Sequence, residues 1–459
     1  MQTTEHAADL IVIGTGGAAM AAGIEARSRG KTVLLVEHGP LGGTCLNVGC
    51  VPSKNLLAAA GQRHRALANR FPMAPTSADG VDVPALMAQK QDLIVGMRQT
   101  KYADVADAHG FPVRYGHARF VDGQTLEVDG ERLRAPAYVI AAGAAPHVPD
   151  LPGLDQVAFL TSTTAMEQQD LPGSMVIVGG GYVGLEQAQL WAHLGAHVTL
   201  VGRFAPRTEP EVAEVLRGVF ADDGIAVVED RAVAVTKAAD GLWVRTEDGR
   251  EVSGERLLIA TGRFADTGDL GLHAAGIGTD ERGFVTVDSQ QRTTNPRVFA
   301  AGDVSGAPQY VYVAAKTGHV AAAGALGEPA TVDYRGLPGV TFTTPQIASA
   351  GLTEQQALAA GYDCDCRVLG GQDIPRALVN RDTRGTFKLV ADAGTGKVLG
   401  VHAALDAAGD VMLAATYAIK FGLTVDDLAD TWAPYLTMSE ALRIAAGSFR
   451  SDRPTSCCA

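Results

Sequence analysis

Cys45 and Cys50 stand with four residues between them in the segment Gly42-Gly43-Thr44-Cys45-Leu46-Asn47-Val48-Gly49-Cys50-Val51-Pro52-Ser53-Lys54. A dithiol and its disulfide differ by two electrons. A thiol pair set against a two-electron carrier therefore exchanges electrons with it, where an isolated pair would serve as a crosslink. The other four cysteines also fall in close pairs, Cys364 with Cys366 and Cys457 with Cys458. Close pairs in a reducing compartment point to redox or metal chemistry before they point to structural crosslinks.

The element that positions the first pair lies just upstream. Residues 9–13 read as a buried strand, followed by Gly14-Thr15-Gly16-Gly17-Ala18-Ala19, a helix of small residues and a second strand, 32–36, ending at Glu37. This is a βαβ unit with a dinucleotide fingerprint. Gly14 permits the tight turn, Gly16 and Gly17 let the backbone approach a pyrophosphate, and Ala19 keeps helix and strand close. The helix N-terminus supplies free N–H groups to phosphate, and Glu37 is spaced to bind ribose hydroxyls.

A second fingerprint follows strand 175–178 as Gly179-Gly180-Gly181-Tyr182-Val183-Gly184. The next strand, 197–201, ends in Gly202-Arg203 with Arg207 close behind and no carboxylate. Two arginines at that place suit a ribose 2′-phosphate. The first site is thus read as binding FAD through Gly14, Gly16, Gly17, Ala19 and Glu37. The second is read as binding NADPH through Gly179, Gly181, Tyr182, Gly184, Arg203 and Arg207.

Between the fingerprints an Ala-rich helix is expected after Lys54. A longer amphipathic helix is expected over 84–109, with Leu86, Leu93, Ile94 and Met97 at helical spacing. Strand 137–140 runs into Ala141-Ala142-Gly143, and a similar ending recurs at Ala260-Thr261-Gly262-Arg263. Residues 298–303 (Val-Phe-Ala-Ala-Gly-Asp) return the chain to the first domain, and shorter elements follow from about 331. The expected fold class is α/β, with two Rossmann-like dinucleotide-binding domains and a C-terminal α+β dimerisation domain. The expected boundaries are 1–150 and 270–330 for the FAD domain, 151–269 for the NADPH domain, 331–446 for the interface domain and 447–459 for a mobile tail.

The 459 residues carry a net charge of -13, 46% hydrophobic and 19% charged residues. That composition suits a globular protein of several domains and argues against a nucleic-acid partner. No uninterrupted apolar run reaches membrane-spanning length, and residues 1–9 carry no basic leader. A cytoplasmic protein without membrane insertion is expected.

Together these landmarks resemble the flavin-dependent pyridine nucleotide–disulfide oxidoreductases, nearly end to end. The resemblance implies that Cys50 lies against the flavin and that Cys45 is the interchange thiol facing substrate. It places Lys54 near the flavin's reactive nitrogen with Glu186 as its ion-pair partner. Asp303 would hold the ribityl–phosphate chain, and Tyr182 would cover the nicotinamide pocket. Gly43, Thr44 and Gly143 would contact FAD, and Gly262 NADPH. A lysine and a helix N-terminus both favour thiolate over thiol, which agrees with that assignment.

Disulfide-reducing members share a C-terminal His-Pro-Thr-x-x-Glu stretch whose histidine moves protons. Here the stretch reads Tyr435-Leu436-Thr437-Met438-Ser439-Glu440. Tyrosine is a poor proton shuttle at neutral pH. The chain then ends Cys457-Cys458-Ala459. Adjacent cysteines close only a strained disulfide, but as thiolates they hold a soft metal ion. Both features resemble the mercury-reducing members of the family. That resemblance implies a homodimer in which the tail of one subunit serves the other's active site. Hg(II), carried by small thiols, would be the substrate, received on Cys457 and Cys458 and passed to Cys45 and Cys50 beside Tyr102 and Tyr435. Many such members carry an extra N-terminal metal-binding domain with a Cys-x-x-Cys loop. This chain is expected to work without one. Cys364 and Cys366 fall outside the family pattern and are expected to be incidental thiols sharing one strand face. The alternatives are a thioredoxin-reductase-like disulfide reductase and a flavoprotein that binds soft metals without turnover.

Overall fold

The computed structural model describes residues 7–239, 241–265 and 267–451. Its first sheet has five parallel strands in the order Val298–Ala300, Ala137–Ile140, Leu10–Ile13, Val33–Glu37 and Val113–Tyr115. Leu10–Ile13 is buried along its whole length, as a central strand covered on both faces must be. Helix Gly17–Ser28 packs on helix Val311–Ala325, and small residues permit the close approach. A Cβ on Gly318 would sit 2.1 Å from the Ala18 carbonyl oxygen. The return of residues 298–300 to this sheet follows the sequence expectation.

The second sheet is also parallel, ordered Ala226–Val228, His197–Val201, Ser174–Val178, Arg256–Ile259 and Leu160–Thr161. The third is antiparallel, ordered Pro338–Thr341, Gln346–Gly351, Val398–Leu405, Thr386–Asp392 and Cys364–Gly370. Helices Ala408–Phe421 and Glu440–Gly447 cover it. Lys388, 2% exposed, fastens this domain to the second. Its ammonium donates to Glu209 (3.0 Å), Glu211 (2.9 Å) and Glu354 (2.7 Å).

Three local expectations are refined. The helix expected after Lys54 spans Cys50–Ala68, so it starts on the second thiol. The long helix is built as Val83–Arg98, a π turn Gln99–Ala103, and Asp104–His109. Its buried stripe is Val83, Met87, Lys90 and Ile94, whereas Leu93 is exposed. Lys90 enters the core because its ammonium reaches the Met166 carbonyl at 2.7 Å. Cys364 and Cys366 do share a face, packed toward Ala357, Val390 and Leu399. Burial pushes both thiols up, Cys366 to about 12. Among the described residues no helix is long and apolar enough to cross a membrane.

Candidate redox site

The two motifs at the start of the chain meet backbone to backbone. Gly43 adopts φ +60°, and a Cβ there would lie 2.8 Å from the Gly16 Cα. The thiol segment is therefore laid directly on the first fingerprint. Cys45 sits in the short helix Gly43–Asn47, and Cys50 is the first residue of helix Cys50–Ala68. Asn47 ties the segment together. Its amide donates to the Gly43 (2.9 Å) and Leu41 (3.0 Å) carbonyls, and its oxygen accepts from Arg98 at 2.6 Å. Asn47 stood inside the thiol motif with no role assigned to it, and Arg98 carried no motif signal in the sequence.

The two thiols are electrostatically unlike. Cys50 is lowered to about 7, first by the hydrogen bond from the Cys45 thiol and then, against burial, by the Lys54 ammonium. Cys45 is raised well above the thiol range by its hydrogen bond to Cys50 and by burial. Cys50 is thus the thiol of the pair that ionises first, while Cys45 keeps its proton. Tyr102 lies on the π turn of the long helix, a feature frequent at functional sites. Burial, and then the two cysteines, push its hydroxyl up to about 12, so it stays protonated.

Lys54 donates to both oxygens of Glu186, at 2.7 and 3.0 Å. Glu186 is 5% exposed and also accepts from the Phe342 N–H at 2.9 Å. The Lys54 ammonium lies 4.8 Å from the Phe342 ring centroid. One ion pair thus joins the thiol helix, helix Tyr182–Leu194 and a loop of the third domain.

A cavity of about 1230 Å³ runs along the first fingerprint to Cys45, Cys50, Lys54 and Tyr182. Its lining fits a dinucleotide. A Cβ on Gly16 would make only an ordinary 3.7 Å contact, and one on Gly181 would meet nothing within 4 Å. Both glycines therefore leave space that the protein itself does not use. Gly14, Gly179 and Gly184 are required by the protein. A Cβ on them would meet Ala141, Ala260 and Gly179 carbonyl oxygens at 2.4, 2.3 and 1.8 Å. The Ala19 position tolerates its methyl group, fully buried, where Gly184 does not.

Deeper in, Arg263 Nε is buried without a hydrogen-bond partner, 3.8 Å from Asp303 Oδ2. Burial pushes the Asp303 carboxyl up, against the pull of Arg263. A buried donor without a hydrogen-bond partner, beside a carboxylate, suits a hydroxylated, phosphorylated chain. Thr44 and Gly143 line the same cavity. A Cβ on Gly143 (φ +78°) or Gly262 (φ +116°) would meet nothing within 4 Å. Glu37 also lines the cavity, but its carboxylate anchors the turn, accepting from Thr15 Oγ1 (2.6 Å) and from the N–H groups of His38 and Gly39. Arg203 and Arg207 are exposed and make no ion pair among the described residues.

Tyr435 is not brought to the thiols of its own chain. It is 57% exposed, in a loop fastened by Leu436 N–H donating to buried Glu440 at 2.7 Å. Cys457 and Cys458 lie outside the described residues.

Comparison with known proteins decides the family. The pyridine nucleotide-disulphide oxidoreductase model matches residues 8–318, and the dimerisation-domain model of the same family matches 337–446. The chain belongs to the pyridine nucleotide-disulphide oxidoreductases. Among curated members it is 51% identical to a mercuric reductase of Streptomyces lividans over 98% of both chains. It is 46% identical to one of Bacillus cereus over 98% of this chain and 73% of that one. Among solved structures, the HOCl-induced flavoprotein disulfide reductase RclA of Escherichia coli superposes with a TM-score of 0.86. Identity there is 28%, over 96% of this chain and 99% of that one. As a family member the chain takes FAD and NADPH, and its dimerisation domain makes it a homodimer.

Proposed function

We propose that this oxidoreductase reduces Hg(II) to elemental mercury with electrons from NADPH. The observation that carries the reading is a cysteine pair, Cys45 and Cys50, lining the cavity of the first fingerprint in a chain that matches mercuric reductases along nearly its whole length. FAD bound along the first fingerprint supplies two-electron transfer between the nicotinamide and the sulfur side. The remaining work falls to the chain's own residues. Gly14, Gly16, Gly17, Ala19, Gly43, Thr44, Gly143, Glu37 and Asp303 hold FAD. Gly179, Gly181, Gly184, Gly262, Arg203 and Arg207 hold NADPH, with Tyr182 over the nicotinamide side. Lys54, oriented by Glu186, keeps positive charge beside Cys50.

Hg(II) enters as a dithiolate. The Cys50 thiolate displaces one ligand, which leaves as thiolate. Cys45 displaces the other, which leaves as thiol with the Cys45 proton. Two electrons delivered to the bound ion give Hg(0) and return two protein thiolates. Tyr102, whose hydroxyl stays protonated, donates a hydrogen bond to a thiolate sulfur of the site. Cys457 and Cys458 of one subunit, with Tyr435, receive the metal from small cytoplasmic thiols and deliver it to the other subunit's inner pair. Exchange through paired thiolates avoids a free Hg(II) intermediate.

The test is NADPH oxidation in excess thiol with and without Hg(II). Stimulation that vanishes in Cys45→Ala/Cys50→Ala is expected, and no stimulation by the metal refutes the reading. Cys457→Ala/Cys458→Ala should impair turnover most for bulky dithiolates of mercury. The likeness to a flavoprotein disulfide reductase keeps one rival in view. Turnover of thioredoxin or a small disulfide without response to Hg(II) would favour it, although Tyr435 stands where such enzymes carry histidine. Tight metal binding without NADPH consumption would favour a buffering flavoprotein.

A further inference from the structure

Helix Tyr182–Leu194 carries a buried polar stripe, Glu186, Gln189 and His193, at helical spacing. Its members face the third domain as well as the first. Gln189 is 1% exposed and grips the backbone of Thr344 from both sides. Its oxygen accepts from the Thr344 N–H at 2.7 Å, and its amide donates to the Thr344 carbonyl at 3.0 Å and to Asp223 at 2.9 Å. Two residues earlier in that loop, Phe342 gives its N–H to Glu186 and its ring face to the Lys54 ammonium. The ammonium is thus held on two sides, by a carboxylate and by an aromatic face. Both holders depend on one loop of the third domain.

We propose that Phe342, with its loop fastened by Gln189, is a positioning residue for Lys54. The interface domain thereby holds the cation of the redox site in its own chain. A ring face attracts a cation through its quadrupole, most strongly where water is partly excluded. Lys54 is 33% exposed, so without the ring its four-carbon stem is free to swing toward solvent around the remaining carboxylate contact. The inference rests on reading Lys54 and Cys50 as the redox site. None of its measurements uses Hg(II), so its failure and failure of the mercury reading are separable.

The test uses holoenzyme carrying Phe342→Leu, which keeps apolar bulk, and Phe342→Tyr, which keeps the ring. The readouts are the flavin midpoint potential, the thiolate–flavin charge-transfer absorbance of two-electron-reduced enzyme, and the rate of flavin bleaching by NADPH. Phe342→Leu is expected to shift the potential, weaken the charge-transfer band and slow bleaching about two- to tenfold, the size of a partly desolvated cation–π contact. Phe342→Tyr is expected to restore all three. A Leu variant indistinguishable from the Tyr variant overturns the proposal. Gln189→Met should move the same readouts in the Leu direction, and wild-type values there overturn the part assigned to the clamp.

Discussion

Removing the Cys45 thiol should disarm Cys50 without touching it. Cys50 stands at about 7 against an ordinary 9.0, and the hydrogen bond from Cys45 is the largest cause. In Cys45→Ala the lowering that remains is chiefly that of Lys54, opposed by burial and Glu186. The midpoint should therefore climb toward 9. At pH 7 the thiolate fraction then falls from about one half to about one in a hundred, roughly fiftyfold. A more basic thiolate is intrinsically more nucleophilic, and a Brønsted slope of about 0.4–0.5 over two units returns about six- to tenfold. The net expectation is alkylation of Cys50 by iodoacetamide about five- to eightfold slower at pH 7, with its pH midpoint displaced upward. Peptide mapping of the dithiol enzyme isolates Cys50 from Cys45. Adding Lys54→Met should carry the midpoint past 9, because burial and Glu186 then act with little opposition. A Cys45→Ala midpoint still at about 7 would refute the reasoning and shift the cause to the helix N-terminus and Lys54.

Four further predictions concern the nucleotide sites and the stacked histidine pair. Gly181→Ala should leave the thermal midpoint unchanged, since the added Cβ meets no protein atom within 4 Å, while the KM for NADPH rises at least about tenfold, ~1.4 kcal/mol. Gly184→Ala, with its Cβ 1.8 Å from a carbonyl oxygen, should instead lower stability by about 1–3 kcal/mol. Arg203→Ala/Arg207→Ala should raise the KM for NADPH more than that for NADH, and an unchanged ratio would remove these arginines from the phosphate site. His64 stacks on His193 at 3.8 Å, and burial, then His193, lower it to about 4. The unfolded chain binds this proton from about pH 6.5 and the folded chain only near 4, so stability should fall as pH drops through that window, by about 3 kcal/mol in all. His64→Phe should flatten a urea-denaturation series over those pH values.

What could be read from the sequence was set by local backbone chemistry. Gly14, Gly179 and Gly184 are compelled by the carbonyl oxygens of Ala141, Ala260 and Gly179, and such close approaches of backbone to backbone force a residue type that shows in the letters, whether the partner is near or far along the chain. Strand 137–140 was read to the residue for the related reason that a fully buried parallel strand is continuously apolar. The remainder depends on partners far away in sequence. Lys90 occupies a core position that periodicity assigns to an apolar residue, because Met166 lies 76 residues on. The π turn under Tyr102 leaves no mark in composition. Phe342 meets Glu186 across 156 residues, and nothing near it in the sequence distinguishes it from core filler. Tyr435 was picked out by a departure from the family pattern, yet one chain alone leaves it exposed, since its proposed site belongs to the other subunit.

Tyr435 and Phe342 bear on one question, namely why a redox protein of this kind carries a third domain at all. If that domain served only to join subunits, its cis contacts with Lys54 and Glu186 would be free to vary. Instead Phe342 touches both members of the ion pair, and Gln189 fixes the loop through two backbone hydrogen bonds. The same domain presents Tyr435 on the strap held by Glu440. It thus offers one residue to the cation of its own site and, in the proposed dimer, one to the partner's metal. On that arrangement, a change in the dimer interface that shifts the third domain moves both groups together. Weakening the interface should therefore alter flavin reduction by NADPH as well as metal handling, although NADPH binds elsewhere.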